Sequence, residues 1–205
     1  MSFLPDAIIS YEDFKSDVSK KIELNVFKTQ KKIILAAGRL TKQKNFSFLI
    51  NEFSEFSKKN QNYILIILGE GEERKNLNKL IFKNKMNNRI FIPGKVSGIY
   101  KYMKKSDVFV LSSLWEEVGF VIVEAALSNL FVISSNCPNG PSEFLSEGRG
   151  GILFENNRTH ALSEAFKQYC SLEEKNKYLS ISKKNVFKYT KYRHYLKLKK
   201  ILRNL

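Results

Sequence analysis

The chain has 205 residues, 43% of them hydrophobic, enough for one packed domain with short extensions. Its net charge is +15, with 28 Lys against only 7 Arg, and the stretch from Lys167 to Leu205 carries +10 of that total, so the basic excess is a C-terminal feature. No segment approaches the ~18 to 20 apolar residues that cross a bilayer, the first residues lack a signal peptide's basic region, and Cys137 and Cys170 show no disulfide or metal-ligand spacing, as suits a reducing cytosol.

In chain order, residues 1 to 30 are polar and weakly periodic, with a helix fitting Tyr11 to Lys21. Lys32 to Ala37 reads as a buried strand. Asn45 to Lys59 reads as a helix: Phe46, Leu49, Ile50, Phe53 and Phe56 recur at three- and four-residue spacing, with Asn45 as its N-cap. Strand Tyr63 to Leu68, helix Glu72 to Lys85, strand Arg89 to Ile92 and helix Gly98 to Lys105 follow. Next come strand Asp107 to Leu111, helix Gly119 to Ser128, strand Phe131 to Ser134, a helical turn at Pro141 to Ser146 and strand Gly151 to Phe154. Residues 158 to 171, 173 to 188 and 190 to 204 are helical. The pattern carries no internal repeat, low-complexity block or Pro/Gly-rich linker.

Strands alternating with amphipathic helices imply an α/β fold with a doubly wound parallel sheet and right-handed crossovers. Ligands of such sheets bind beyond the carboxyl ends of the strands. Every distinctive loop here follows a strand: Gly38 to Asn45, Gly69 to Glu72, Gly94 to Ser97, Ser112 to Gly119 and Ser135 to Pro141. They converge on one edge and so predict a single nucleotide-like site. Glu116 and Glu124, with seven residues between them, bracket a helix start. The helix N-terminus offers N–H groups to phosphate, and the carboxylates accept hydrogen bonds from hydroxyl groups.

Four segments carry a family resemblance over residues 31 to 155. They are Gly38-Arg39-Leu40 running on to Gln43-Lys44-Asn45, then Gly69-Glu70-Gly71 at a strand end, then Glu116 with Glu124 and Ala125, and finally Pro138-Asn139-Gly140-Pro141. In this order and spacing they resemble the donor-binding, C-terminal domain of a GT-B glycosyltransferase of the retaining family 4 type, the glycosyl transferases group 1. The resemblance implies a Rossmann-like domain over residues 31 to 172, flanked by an extension at 1 to 30 and basic helices at 173 to 205. It implies transfer of a sugar from a nucleoside diphosphate sugar, a UDP-sugar above all, to a surface-glycan acceptor with retention of configuration. Arg39 and Lys44 match the family's diphosphate-neutralising cations. Glu116 matches its donor-sugar carboxylate and Glu124 its ribose-binding one. Gly119, Phe120 and Val121 match backbone N–H donors to phosphate or sugar. Gly38 and Gly69 belong to the same ligand loops, and Val96 sits where the family's backbone holds the base edge. No cofactor is implied beyond the nucleotide sugar, and no essential metal.

Two departures stand out. The family's usual Glu-Gly-Phe-Gly reads Glu116-Glu117-Val118-Gly119 here. The family's acceptor-binding N-terminal domain, with its Gly-rich loop and catalytic-region His or acidic residue, has no counterpart before residue 31, and His160 and His194 lie outside the site loops. Three classes therefore stay open. The chain is the donor half of an enzyme that works with a separate N-terminal domain or subunit; or a non-catalytic nucleotide-sugar module or truncated product; or a basic protein peripheral to an anionic membrane. Tyr189 to Leu205 interleaves aromatic and leucine residues with cations, as a membrane-surface helix does. No nucleic-acid-binding signature is present. The expected location is the cytoplasm, including the inner face of the cell membrane.

Overall fold

The computed structural model describes residues 7–117 and 119–203. Six strands form one sheet: β1 (Lys32–Ala37), β2 (Tyr63–Leu68), β3 (Ile90–Gly94), β4 (Val108–Leu111), β5 (Phe131–Ser135) and β6 (Ile152–Phe154). Their order is β3-β2-β1-β4-β5-β6, and all five pairings are parallel. The chain adds strands outward on one side and then returns past β1 to build the other, so the order reverses between β1 and β4. That is the doubly wound sheet expected from the sequence, with its switch point at the β1–β4 seam.

The strands are near-continuous Val, Ile, Leu and Phe because both faces of the sheet are covered. Alternate residues feed two cores. Ile34, Leu65, Val110 and Ile133 face α2 (Phe46–Ser57), α3 (Arg74–Lys83) and α7 (Ala161–Ser171). Leu35, Ile66, Phe109 and Val132 face α4 (Tyr100–Lys104), α5 (Phe120–Leu127) and α6 (Pro141–Phe144). The periodic face of α2 is fully inside, with Leu49, Ile50 and Phe53 at 0% exposure. Truncating one such side chain costs about 3–5 kcal/mol where the site cannot collapse.

The segment before β1 also packs on the sheet. Ile9 and Phe27 are buried in the second core, and α1 (Tyr11–Val18) sends Asp17 to cap α4. Its Oδ2 accepts the N–H groups of Tyr100 at 2.8 Å and Lys101 at 3.3 Å. Helices α8 (Lys175–Val186) and α9 (Lys191–Leu202) close the described chain. Both cysteines are free, Cys137 buried and Cys170 exposed.

Asn45 stands at the N-cap of α2 as expected, with φ 52°, but does not cap it through its side chain. Its amide donates instead to Asn157 Oδ1 at 2.9 Å. The preceding residues, Lys42–Lys44, coil into a short 3-10 turn, and the left-handed Asn45 joins that turn to the helix. Helix α2 thus starts by backbone geometry, while the Asn45 side chain ties two loops together.

Candidate functional site

The loops after β1, β2, β3 and β4 meet around an open cleft of about 830 Å³ at the switch point. Its floor is the first loop, where Gly38, Arg39 and Lys44 line the cavity. Arg39 is exposed and Lys44 partly covered. Gly69 follows β2 and Val96 follows β3 on one wall. Glu116, Gly119, Phe120 and Val121 form the other wall, at the mouth of α5. The structure therefore brings nine of the ten site residues expected from the sequence around one cavity.

Glu124 does not line it. The residue lies one turn deeper in α5, on the same face as Phe120 by i, i+4 spacing. Its carboxylate is half-buried and has neither a hydrogen-bond donor nor an ion-pair partner among the described residues. Burial pushes its pKa up from the usual carboxylate range to about 7. Its charge acts on the neighbouring Tyr100, whose phenol is itself raised to about 12, chiefly by burial.

The opposite regime holds at Glu116, which is buried at 7% exposure. Its Oε1 receives Lys44 Nζ at 2.5 Å and Ser113 Oγ at 2.5 Å. A ring of loop-to-loop bonds holds this pair. Ser112 Oγ donates to the Lys44 carbonyl at 2.7 Å, Leu114 N–H to the Gln43 carbonyl at 2.8 Å, and Gln43 Nε2 to the Trp115 carbonyl at 2.9 Å. Ser135 Oγ and Asn156 Nδ2 both donate to the Ser113 carbonyl, at 2.7 and 3.3 Å. The first loop and the loop after β4 are thus stitched across the switch point, and the carboxylate and ammonium are held against each other.

Helix α5 begins at Gly119, with φ 71°, and has no side-chain cap. The left-handed turn is one that glycine makes without cost. The N–H groups of a helix's first turn lack intrahelical partners, so an uncapped start at the cleft wall offers them, and the positive end of the helix dipole, to an anion. Arg39, Lys44 and Lys95 add three cations around the same space, against Glu70, Glu116 and Glu117.

Gly69 has a packing reason for being glycine. A Cβ there would stand 1.9 Å from the Gly38 carbonyl oxygen, so the two loops touch backbone to backbone. Trp115, Lys95 and Glu70 line the cleft but were not singled out from the sequence. The clearest missed contributors are Ser112, Ser113 and Ser135, buried polar residues at strand ends whose hydroxyls hold the loops. A Ser pair closing an apolar strand was the only sign of them. Val118, which departs from the family's aromatic, lies outside the described residues; Glu117 is exposed at the cleft. Neither histidine lines the cavity. Among the described residues, no group of three His, Cys, Asp or Glu is placed to hold a metal ion.

A family model described as "Glycosyl transferases group 1" matches residues 17–186. An uncharacterized glycosyltransferase of Methanocaldococcus jannaschii is 41% identical over 121 residues, 59% of this chain and 30% of the relative. The amylovoran biosynthesis glycosyltransferase AmsD of Erwinia amylovora is 31% identical over 133 residues, 65% of this chain and 37% of its own. Among solved structures, Anabaena Alr3699/HepE in complex with UDP superposes with a TM-score of 0.79 at 18% identity, covering 96% of this chain and 54% of that one. The pneumococcal O-GlcNAc transferase GtfA in complex with UDP and GlcNAc gives 0.76 at 21% identity, covering 86% and 37%. At these identities the structural likeness concerns the fold. The chain spans about a third of the length of the curated relatives it matches.

Proposed function

The chain belongs to the glycosyl transferases group 1 family, and from that premise we propose that it is the donor-binding half of an enzyme that moves a sugar from a nucleoside diphosphate sugar, with UDP as the nucleotide. The observation that carries this reading is the cleft at the β1–β4 switch point, where an uncapped helix start, Arg39 and Lys44 surround one cavity bordered by carboxylates. The diphosphate lies against the α5 N-terminus and the two cations. As the bond to the sugar breaks, negative charge grows on that diphosphate, and fixed cations and N–H dipoles stabilise it without rearranging. No metal is needed for this step when Arg and Lys supply the charge. Glu124, one turn along α5 from the lining residue Phe120, is assigned to the ribose hydroxyls and Glu116 to the donor sugar, with Val96 beside the base. The reaction retains configuration, and the acceptor is a cell-surface glycan or its lipid-linked precursor. Relatives named for amylovoran synthesis and for a diphospho-undecaprenol acceptor support that class. A second domain or subunit holds the acceptor, an arrangement for which the solved GtfA/B complex is a parallel.

Calorimetry with UDP, UDP-glucose and UDP-N-acetylglucosamine tests the donor site. Binding is expected to be weak, about millimolar to micromolar, since in the proposed enzyme a second domain or subunit would face this cleft. Absence of heat and of ligand NMR broadening with all three ligands would remove the reading.

A further inference from the structure

Trp115 is the only tryptophan of the chain, and it stands in the donor cleft. It lines the cavity beside Glu116 and is 52% exposed. Exposure alone marks no site, since single apolar residues are common on protein surfaces. What sets Trp115 apart is the main chain that carries it. Gln43 Nε2 donates to the Trp115 carbonyl at 2.9 Å. To either side, Asn156 Nδ2 donates to the Leu114 carbonyl at 3.1 Å and the Glu116 N–H to the Pro138 carbonyl at 3.4 Å. The first loop and the loops after β5 and β6 thus hold residues 114–116 in place. A half-open indole is presented at the cavity by fixed backbone. Tryptophan has only two side-chain torsions to immobilise, so such a surface gives a large contact area at small entropic cost.

We propose that Trp115 is the platform for the donor's sugar: its indole packs on the C–H face of the pyranose ring, while Glu116 and Glu117 receive the hydroxyl groups at the ring's edge. The inference rests on the donor-site reading and adds to it a residue that reads the glycosyl unit rather than the nucleotide. The chemistry of this wall separates the two. Glu117 is exposed at the cleft and adjoins Glu116. A carboxylate there repels a diphosphate and accepts hydrogen bonds from neutral hydroxyl groups. The base belongs to the other wall, beside Val96, which follows β3. A pyranose matches what remains, with C–H groups on one face for dispersion contact with the indole and hydroxyls around its rim. A protein partner at this point would have to cover Glu117 beside the ring, and acidic residues are depleted at interface cores.

The test needs the purified chain and donor alone, whatever faces the cleft in the full enzyme. Calorimetry compares UDP with UDP-glucose, UDP-galactose and UDP-N-acetylglucosamine. Trp115→Ala should weaken the UDP-sugar that the native chain binds most tightly by about tenfold and leave UDP affinity unchanged. Trp115→Phe, which keeps a ring, should recover most of the loss. Phe82→Ala removes another open aromatic, 74% exposed and outside the cleft, and should change neither ligand. In the native chain all tryptophan emission comes from Trp115, so fluorescence gives a second readout. Excited beyond the uracil band, the emission should move to shorter wavelength with a UDP-sugar, as the sugar displaces water from the indole, and not with UDP. Equal losses for UDP and UDP-sugars in Trp115→Ala, or the same emission shift with both, would place the ring on the nucleotide and overturn the proposal. It is also overturned if Trp115→Ala binds all three UDP-sugars as the native chain does; with UDP binding intact, that result leaves the donor-site reading standing. No binding of UDP by the native chain would strike both.

Discussion

Lys44 Nζ and Glu116 Oε1 stand 2.5 Å apart, joining the loop after β1 to the loop after β4 across the point where the strand order reverses. Their side chains are 16% and 8% exposed, so the pair is largely removed from water. On the proposed reading, the cation that would meet the diphosphate is thereby held by the carboxylate that would face the donor sugar. Each keeps the other in place, and a bound diphosphate would share an ammonium that is already positioned.

A largely buried pair costs more to break than to replace. Lys44→Met should lower stability by about 2–4 kcal/mol in urea unfolding, because the buried Glu116 carboxyl loses its cation and, among the described residues, is left with Ser113 as its side-chain donor. The double variant Lys44→Met/Glu116→Leu should cost less than Lys44→Met alone. A double variant worse than both singles would show that the pair's charges are well solvated and its hydrogen bonds carry the stability.

Arg39 offers a cleaner probe of the diphosphate, because it is exposed and has no ion pair among the described residues. Arg39→Ala should leave the melting temperature nearly unchanged, as exposed substitutions do. It should weaken UDP binding by about 10- to 100-fold and uridine binding hardly at all. Equal losses for the two ligands would move Arg39 away from the phosphates.

Glu124 gives a pH signature with two opposite signs. Its pKa rises on folding from the ordinary value near 4.5 to about 7 because burial disfavours the charge. Between those values the folded state holds a proton that the unfolded state has released. Stability therefore falls as pH rises through that window, and the penalty is complete above about pH 7. Glu124→Gln should be up to about 3 kcal/mol more stable than the native chain at pH 8, and no more stable at pH 4. Ligand binding should run the other way. If ribose hydroxyls donate to the ionised carboxylate, uridine affinity rises with pH toward 7 and then levels, and the Gln variant loses this dependence. Uridine is the ligand to use, because it has no phosphate titrating in this range. A native chain whose uridine affinity is flat from pH 5 to 8 would remove Glu124 from the ribose.

The sheet was legible in the residues because its strands are short apolar runs between turn-forming loops, and β1 and β2 fall where the alternation places them. The cleft was legible because every ligand loop follows a strand, a consequence of parallel winding. Less legible were contacts between residues distant in sequence. Nothing local marks Asp17 as the cap of α4, 83 residues away, or Ile9 and Phe27 as core, since single apolar residues in a polar segment carry no period. Asn45 does sit at the N-cap of α2, but its side chain bonds Asn157, 112 residues on, instead of capping the helix, a tertiary contact that the local rule does not see. Glu124 and Glu116 look alike in the sequence, yet Glu116 is buried and paired with Lys44 while Glu124 is half-buried with no ion-pair partner among the described residues. Only the packing around α5 separates them.

Transfer itself is the last expectation. A glycosyl acceptor must be held against the anomeric carbon, because positioning supplies much of the rate. The described residues surround a donor cleft on one side, neither histidine reaches it, and the chain matches about a third of the length of its curated relatives. Incubated with radiolabelled UDP-sugars and lipid-linked or oligosaccharide acceptors, the purified 205-residue chain should bind donor and at most hydrolyse it slowly. Adding an N-terminal domain of the same family, in trans or fused ahead of Met1, should bring transfer. The Lys44→Met and Arg39→Ala versions of that assembly should then transfer at rates lower by about 100-fold or more, since each removes charge stabilisation from the leaving diphosphate. Robust transfer by the lone chain would mean that its own surface holds the acceptor, and the division of labour proposed for the two halves would be wrong.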